Sequence, residues 1–180
     1  MGANRALRTL LVDDVIVPLS NEHGKNHCYL VESEANYTLK VSHVPDDALV
    51  FKCDRFPNTG VVFFKGKNDE CKCADYVLVS ESEKVIMFFE LKHSLKSVTF
   101  KKTIAQLKGA KCIMDYCASL SSSFLGEHDI FNGYAFKYYR GIQKSSRKRG
   151  FANNKPPNTS PETARTLPGR YSAFGWLLEN

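Results

Sequence analysis

Apolar residues along this chain fall into short runs with two different periods. CYLV (28–31) and YTLKV (37–41) are rich in β-branched and aromatic residues and flank the polar ESEAN, so they predict two short strands. ALVFKC (48–53) and VVFFK (61–65) predict a second pair turning through DRFPNTG. After a polar loop at 66–72, the segment DYVLVSESEKVIMFFELK (75–92) holds two apolar runs about ESEK. It predicts strands at about 73–80 and 85–92, with 81–84 as the turn. The period then changes. In TFKKTIAQLKGAKCIMDYCASL (99–120), Ile104, Leu107, Ala110, Met114 and Cys117 recur at three- and four-residue steps, and Lys101, Lys102, Lys108 and Lys111 are its charged positions. That is one amphipathic helix. YAFKYYRGI (134–142) predicts a further strand, and YSAFGWLL (171–178) an apolar segment that docks on the body. At the start, RALRTLL suits a helical turn and VDDVIVPL an extended stretch. The expected fold is α/β, a central mixed β-sheet flanked by helices, with residues 1–180 as a single domain.

The hairpin at 75–92 raises a question of charge. A four-residue turn pairs Ser80 with Val85, so Asp75 falls opposite Glu90, their Cβ atoms roughly 5 Å apart. Alternation then puts Asp75, Val77, Val79, Ile86, Phe88, Glu90 and Lys92 on one face and Tyr76, Leu78, Met87, Phe89 and Leu91 on the other. Both faces are apolar, as in a central strand covered on both sides. Like charges opposite one another in such a place destabilise the ladder unless something positive compensates. Lys92 is one candidate. A divalent cation is the other: two carboxylates, the Leu91 backbone carbonyl and waters suit hard Mg²⁺ (or Mn²⁺), which activates water and stabilises charge on a phosphate. A buried Asp–Lys–Glu ion cluster without metal is the structural alternative.

The net charge of +6 is unevenly spread. Residues 1–90 carry 14 acidic against 10 basic side chains, while residues 91–180 carry 15 basic against 5 acidic. Between Lys137 and Arg170 nine basic residues face one acid, Glu162. Lys144, Arg147, Lys148 and Arg149, in KSSRKRG, are the densest part of a polar loop or arm at about 143–170. This is either a solvated charged loop or a segment that contacts phosphates. No apolar run approaches the ~20 residues of a membrane span, and the N-terminus, with Asp13 and Asp14 in its oily part, does not read as a signal peptide. A cytoplasmic protein is expected. The six cysteines, at 28, 53, 71, 73, 112 and 117, then read as reduced thiols, and Cys71-x-Cys73 lacks zinc-knuckle spacing.

An acid on one strand followed by Glu-x-Lys on the next resembles the core of the PD-(D/E)XK nuclease superfamily: Asp75, then Glu90-Leu91-Lys92. Gln106, in AQLKGA on the following helix, stands where some branches of that superfamily carry a functional glutamine. Ala74 replaces the proline that often precedes the first acid, and Glu32, Glu34 and Asp54 all compete for the role of an upstream acid. The resemblance covers about residues 61–142. It implies a restriction-endonuclease-like core and Mg²⁺-dependent phosphodiester hydrolysis, with DNA favoured over RNA. Asp75 and Glu90 would hold the metal, Lys92 would assist and Gln106 would line the site. It also implies a homodimer or a subunit of a larger complex, in a setting such as phage defence, restriction, repair or mobile elements. The alternative is a non-catalytic nucleic-acid-binding subunit on the same fold, and a third reading is a protein-interaction module.

Overall fold

The computed structural model describes residues 2–34, 36–55, 64–93, 97–143 and 156–180, with only the backbone described at 97–99 and 168. Helix α1 (Ala3–Leu10) and a 3-10 turn (Asp13–Val15) lead into β1 (Ile16–Val17), β2 (Ser20–Glu22), β3 (Lys25–Glu32), β4 (Tyr37–Ser42) and β5 (Leu49–Lys52). The hairpin β6 (Tyr76–Ser80) and β7 (Val85–Lys92) follows, then helix α2 (Ser97–Leu120) and β8 (Ala135–Ile142). The chain closes with β9 (Arg165–Pro168), β10 (Tyr171–Ala173) and α3 (Phe174–Glu179).

These strands build two sheets. Six lie in the order β1-β5-β6-β7-β8-β9 and four in the order β10-β4-β3-β2. The larger sheet is mixed. β6 pairs antiparallel with β5 and β7, while β8 returns through α2 to lie parallel to β7 and β9 lies parallel to β8. Antiparallel neighbours need only a short turn, whereas a parallel neighbour needs a crossover, and α2 is that crossover.

The hairpin register matches the turn-based expectation: Ser80 faces Val85 and Tyr76 faces Phe89. Its two faces divide as the alternation required. Val77, Val79, Ile86 and Phe88 pack against α1 and α2 with Leu7, Leu107, Ala110 and Met114. Tyr76, Leu78, Met87, Phe89 and Leu91 pack against Leu30, Leu39 and Val41 of the smaller sheet and Phe174 and Leu177 of α3. Each such buried side chain contributes roughly 1.5–3 kcal/mol relative to exposure, so the hairpin is anchored from both sides. The Tyr76 hydroxyl ties the sheets together, accepting from Val31 N–H at 2.9 Å and donating to the Val31 carbonyl at 2.7 Å.

Three expectations need correction. β6 begins at Tyr76, so the ladder stops one pair short of Asp75. On α2 the fully buried position is Thr103, while Ile104 is only half-buried: the packed face begins one residue earlier than the apolar pattern implied. Residues 156–170 are not a bare arm. Ser160 caps a 3-10 turn at Pro161–Thr163, and β9 adds a backbone-paired strand that buries Ala164 and Leu167. Too few apolar residues mark it for a periodicity argument to find. The proposed strand at 61–65 and the basic residues Lys144, Arg147, Lys148 and Arg149 fall wholly or mainly outside the described residues. YSAFGWLL docks as expected, with Phe174 and Leu177 buried.

Candidate active site

Asp75 sits where the β6 chain enters the sheet and is held by main chain on both sides. Its carbonyl accepts from Cys53 N–H at 2.9 Å, and its Oδ2 accepts from Leu91 N–H at 2.6 Å. The sequence therefore places a carboxylate beside β7 at the point where regular pairing ends. Glu90 and Lys92 project from the last residues of β7, and the Lys92 ammonium lies against Glu90 Oε1.

Burial governs this cluster. Asp75 is 7% exposed and Glu90 is fully buried. Removal from water pushes the Asp75 carboxyl up to about 8, and the Glu90 charge adds to the effect. Burial likewise pushes the Glu90 carboxyl up to about 7, against the opposing pull of Lys92. Lys92 loses some hydration too, but the attraction of Glu90 outweighs it and the ammonium is held above its ordinary range. The Lys92 ammonium meets Glu90 Oε1, and the Asp75 main chain also favours the charged carboxylate. A carboxylate buried this deeply is costly unless such a partner, a cation or a proton meets it.

A third acid contributes. The charge of Glu32, at the end of β3, raises Asp75, Glu90 and Lys92 alike. Glu32 follows Val31, the residue clamped by Tyr76, and its Oε1 accepts from Glu34 N–H at 3.0 Å. Of the three upstream acids considered, Glu32 is thus the one whose charge reaches all three site residues. Asp54 is exposed, and partial loss of hydration and the Glu32 charge hold its carboxyl above its ordinary range. Glu34 is exposed.

Gln106 is half-buried on α2, and its amide donates to the Cys73 carbonyl at 3.5 Å, two residues before Asp75. The helix approaches closely here: a Cβ on Gly109 would stand 1.7 Å from the Lys72 carbonyl oxygen. Gln106 therefore braces the chain that leads into Asp75.

Arg140 was not apparent from the sequence. The parallel β7–β8 register sets it opposite Glu90. Its guanidinium stacks 4.4 Å over the Phe100 ring and donates to the Ala164 carbonyl at 2.8 Å. Only the register of a crossover pair reveals this neighbour, and no local motif encodes it. Beyond it, Lys101 and Lys102 are exposed in the first turns of α2.

The donor set suits a hard cation: two buried carboxylates and a neighbouring main-chain carbonyl at Leu91. Among the described residues, no three His, Cys, Asp or Glu side chains converge as a ready metal cage. No described helix is long and apolar enough to cross a membrane. The chain matches no family model, no curated protein and no solved structure.

Proposed function

We propose that this protein is a metal-dependent nuclease with a restriction-endonuclease-like core, hydrolysing phosphodiester bonds, with DNA favoured as substrate. The observation that carries this reading is the paired burial of Asp75 and Glu90 at adjoining strand ends. Both carboxyls are raised, and Glu90 is fully buried with Lys92 beside it. Such a site attracts a cation. Asp75 and Glu90, with the Leu91 carbonyl, would hold Mg²⁺ or Mn²⁺, whose remaining oxygen positions go to waters and phosphate, as Mg²⁺ prefers. When bound, the metal supplies Lewis acidity and a lowered pKa for water.

This chain's own residues do the rest. Lys92 orients the attacking water and offsets charge that develops on the phosphate oxygens. Gln106 holds the approach to Asp75, and Glu32 adds negative charge that favours the cation. In hydrolysis, water adds to phosphorus, the P–O bond to the leaving sugar breaks, and the departing oxygen gains a proton. Lys101 and Lys102, with Lys144, Arg147, Lys148 and Arg149 in the basic segment, would meet the backbone phosphates.

A second reading has its own support. The Lys92–Glu90 ion pair already offsets one carboxylate, as in a nucleic-acid-binding subunit that has no use for metal. Incubation of the protein with plasmid, linear DNA and RNA, with and without Mg²⁺ or Mn²⁺, decides between them. Cleavage that needs metal, is stopped by EDTA and is lost in Glu90→Ala and Lys92→Ala supports the nuclease. Equal cleavage by wild type and both variants overturns the site. Binding without cleavage supports the second reading.

A further inference from the structure

Cys53 and Cys73 stand side by side. Cys53 is 2% exposed at the end of β5, Cys73 is half-buried on the approach to β6, and their sulfurs lie 3.0 Å apart as free thiols. The backbone fixes both. Cys53 N–H donates to the Asp75 carbonyl, the Cys73 carbonyl accepts from Gln106, and α2 lies against the peptide just before Cys73 at Gly109. The two sulfurs can therefore join with little movement of main chain. Cys117 on α2 also lies near Cys53, but only Cys73 is joined to it by a sulfur–sulfur hydrogen bond, and Cys112 is exposed.

We propose that Cys53 and Cys73 are an oxidative modification site, forming a reversible disulfide that links the end of β5 to the approach to β6. The co-reactant is a small-molecule disulfide of the glutathione class. The sulfur of Cys73, the less buried of the two residues, gives up its proton and displaces one glutathione thiolate, forming a mixed disulfide. The Cys53 sulfur, losing its proton, then attacks the Cys73 sulfur and expels the second glutathione thiolate. Two protein thiols are oxidised, one glutathione disulfide is reduced, and the two protons end on two glutathione thiols. Closing a loop of about 20 residues restricts the unfolded chain, so oxidation raises the melting temperature. This inference does not rest on the nuclease reading.

The test uses the full chain carrying Cys112→Ser, which removes the exposed thiol. The protein is incubated with oxidised glutathione, remaining thiols are blocked with N-ethylmaleimide, and intact mass and peptide maps are recorded beside thermal melts. Expected is the loss of two hydrogens, a cross-link between the Cys53 and Cys73 peptides, and a rise in Tm of about 5–10 °C that dithiothreitol reverses. Cys71→Ser should preserve all three effects and Cys73→Ser should abolish them. A stable glutathione adduct at Cys73, a bridge to Cys71 or Cys117, the absence of any oxidation, or an unchanged Tm overturns the proposal. The peptide map of the parent protein decides the matter even if Cys73→Ser fails to fold.

Discussion

The Asp75 carboxylate takes the main-chain N–H of Leu91, the residue between Glu90 and Lys92, at 2.6 Å. One hydrogen bond thus joins the first acid to the Glu-x-Lys strand and fixes the distance between the two carboxyls. It also keeps Asp75 in a place where water cannot solvate its charge, so two carboxyls share one dry corner.

That corner gives the metal-free protein an unusual pH dependence. Asp75 is raised to about 8 and Glu90 to about 7, from ordinary values near 4. Between pH 4 and 8 the folded state therefore holds more protons than the unfolded state, and stability falls as pH rises through this window. The contribution is fully present below pH 4 and is lost above pH 8. Groups held low, such as Glu22 and Glu162, act in the opposite sense but only below about pH 4.5. In EDTA, Tm should fall by at least about 5 °C between pH 5 and pH 8.5. Asp75→Asn and Glu90→Gln should each flatten that slope. A wild-type Tm that stays level or climbs across the window contradicts the burial argument.

Gly109 is where α2 touches the chain leading to the site. A methyl group there would meet the Lys72 carbonyl oxygen at 1.7 Å, and a rigid backbone atom cannot swing aside as a side chain would. Gly109→Ala should destabilise the protein by about 2–4 kcal/mol, lowering Tm by roughly 5–10 °C, although alanine is the better helix former. Urea melts of both proteins measure it. A stabilised or unchanged variant would mean that the helix stands farther off.

Much of this arrangement was legible in the sequence, for local reasons. The ESEK turn and strict alternation define the β6–β7 register and both buried faces, because a one-residue slip would exchange every side chain between the two cores. Glu90 and Lys92 follow from the same alternation. Asp75 does not follow fully, since its carboxylate takes a β7 amide instead of joining the ladder. Glu32 comes near the site, and Arg140 comes opposite Glu90 in register, through tertiary placement. One depends on how the smaller sheet is clamped by Tyr76, the other on the parallel register across α2. β9 was hidden for a different reason: too few apolar residues mark it for an alternation pattern to show.

The basic segment offers a test that needs no geometry. Each phosphate contact adds roughly 0.7 to 0.9 to the slope of log K against log salt. Replacing Arg147, Lys148 and Arg149 together by Ala should flatten that slope by about two to three units and weaken binding to every sequence alike. Under the proposed function Glu90→Ala should instead lose cleavage while keeping or improving binding, because it would remove a negative charge facing the phosphate. Fluorescence anisotropy at several salt concentrations separates the two behaviours. An unchanged slope in the triple variant would place the nucleic acid elsewhere.

Glu32 allows electrostatics to be separated from metal binding. Its charge pushes both Asp75 and Glu90 upward, so Glu32→Gln should shift the pH-dependent fall in Tm toward lower pH in EDTA. Under the proposed function the same charge would draw in a cation. Protons and metal would then compete for Asp75 and Glu90, so Mg²⁺ or Mn²⁺ should raise the wild-type Tm more at pH 8 than at pH 6. In Glu32→Gln the metal-induced rise should shrink at both pH values, because one negative charge has left the neighbourhood, and in Glu90→Gln it should vanish. Thermal melts across pH, with and without metal, measure all of this in one series. A pH curve that moves while the metal effect stays whole would make Glu32 a neighbour of the site that plays no part in holding the ion. If neither moves, the Glu32 charge does not reach the carboxyl pair, and another acid, Asp54 first, would have to be tried in its place.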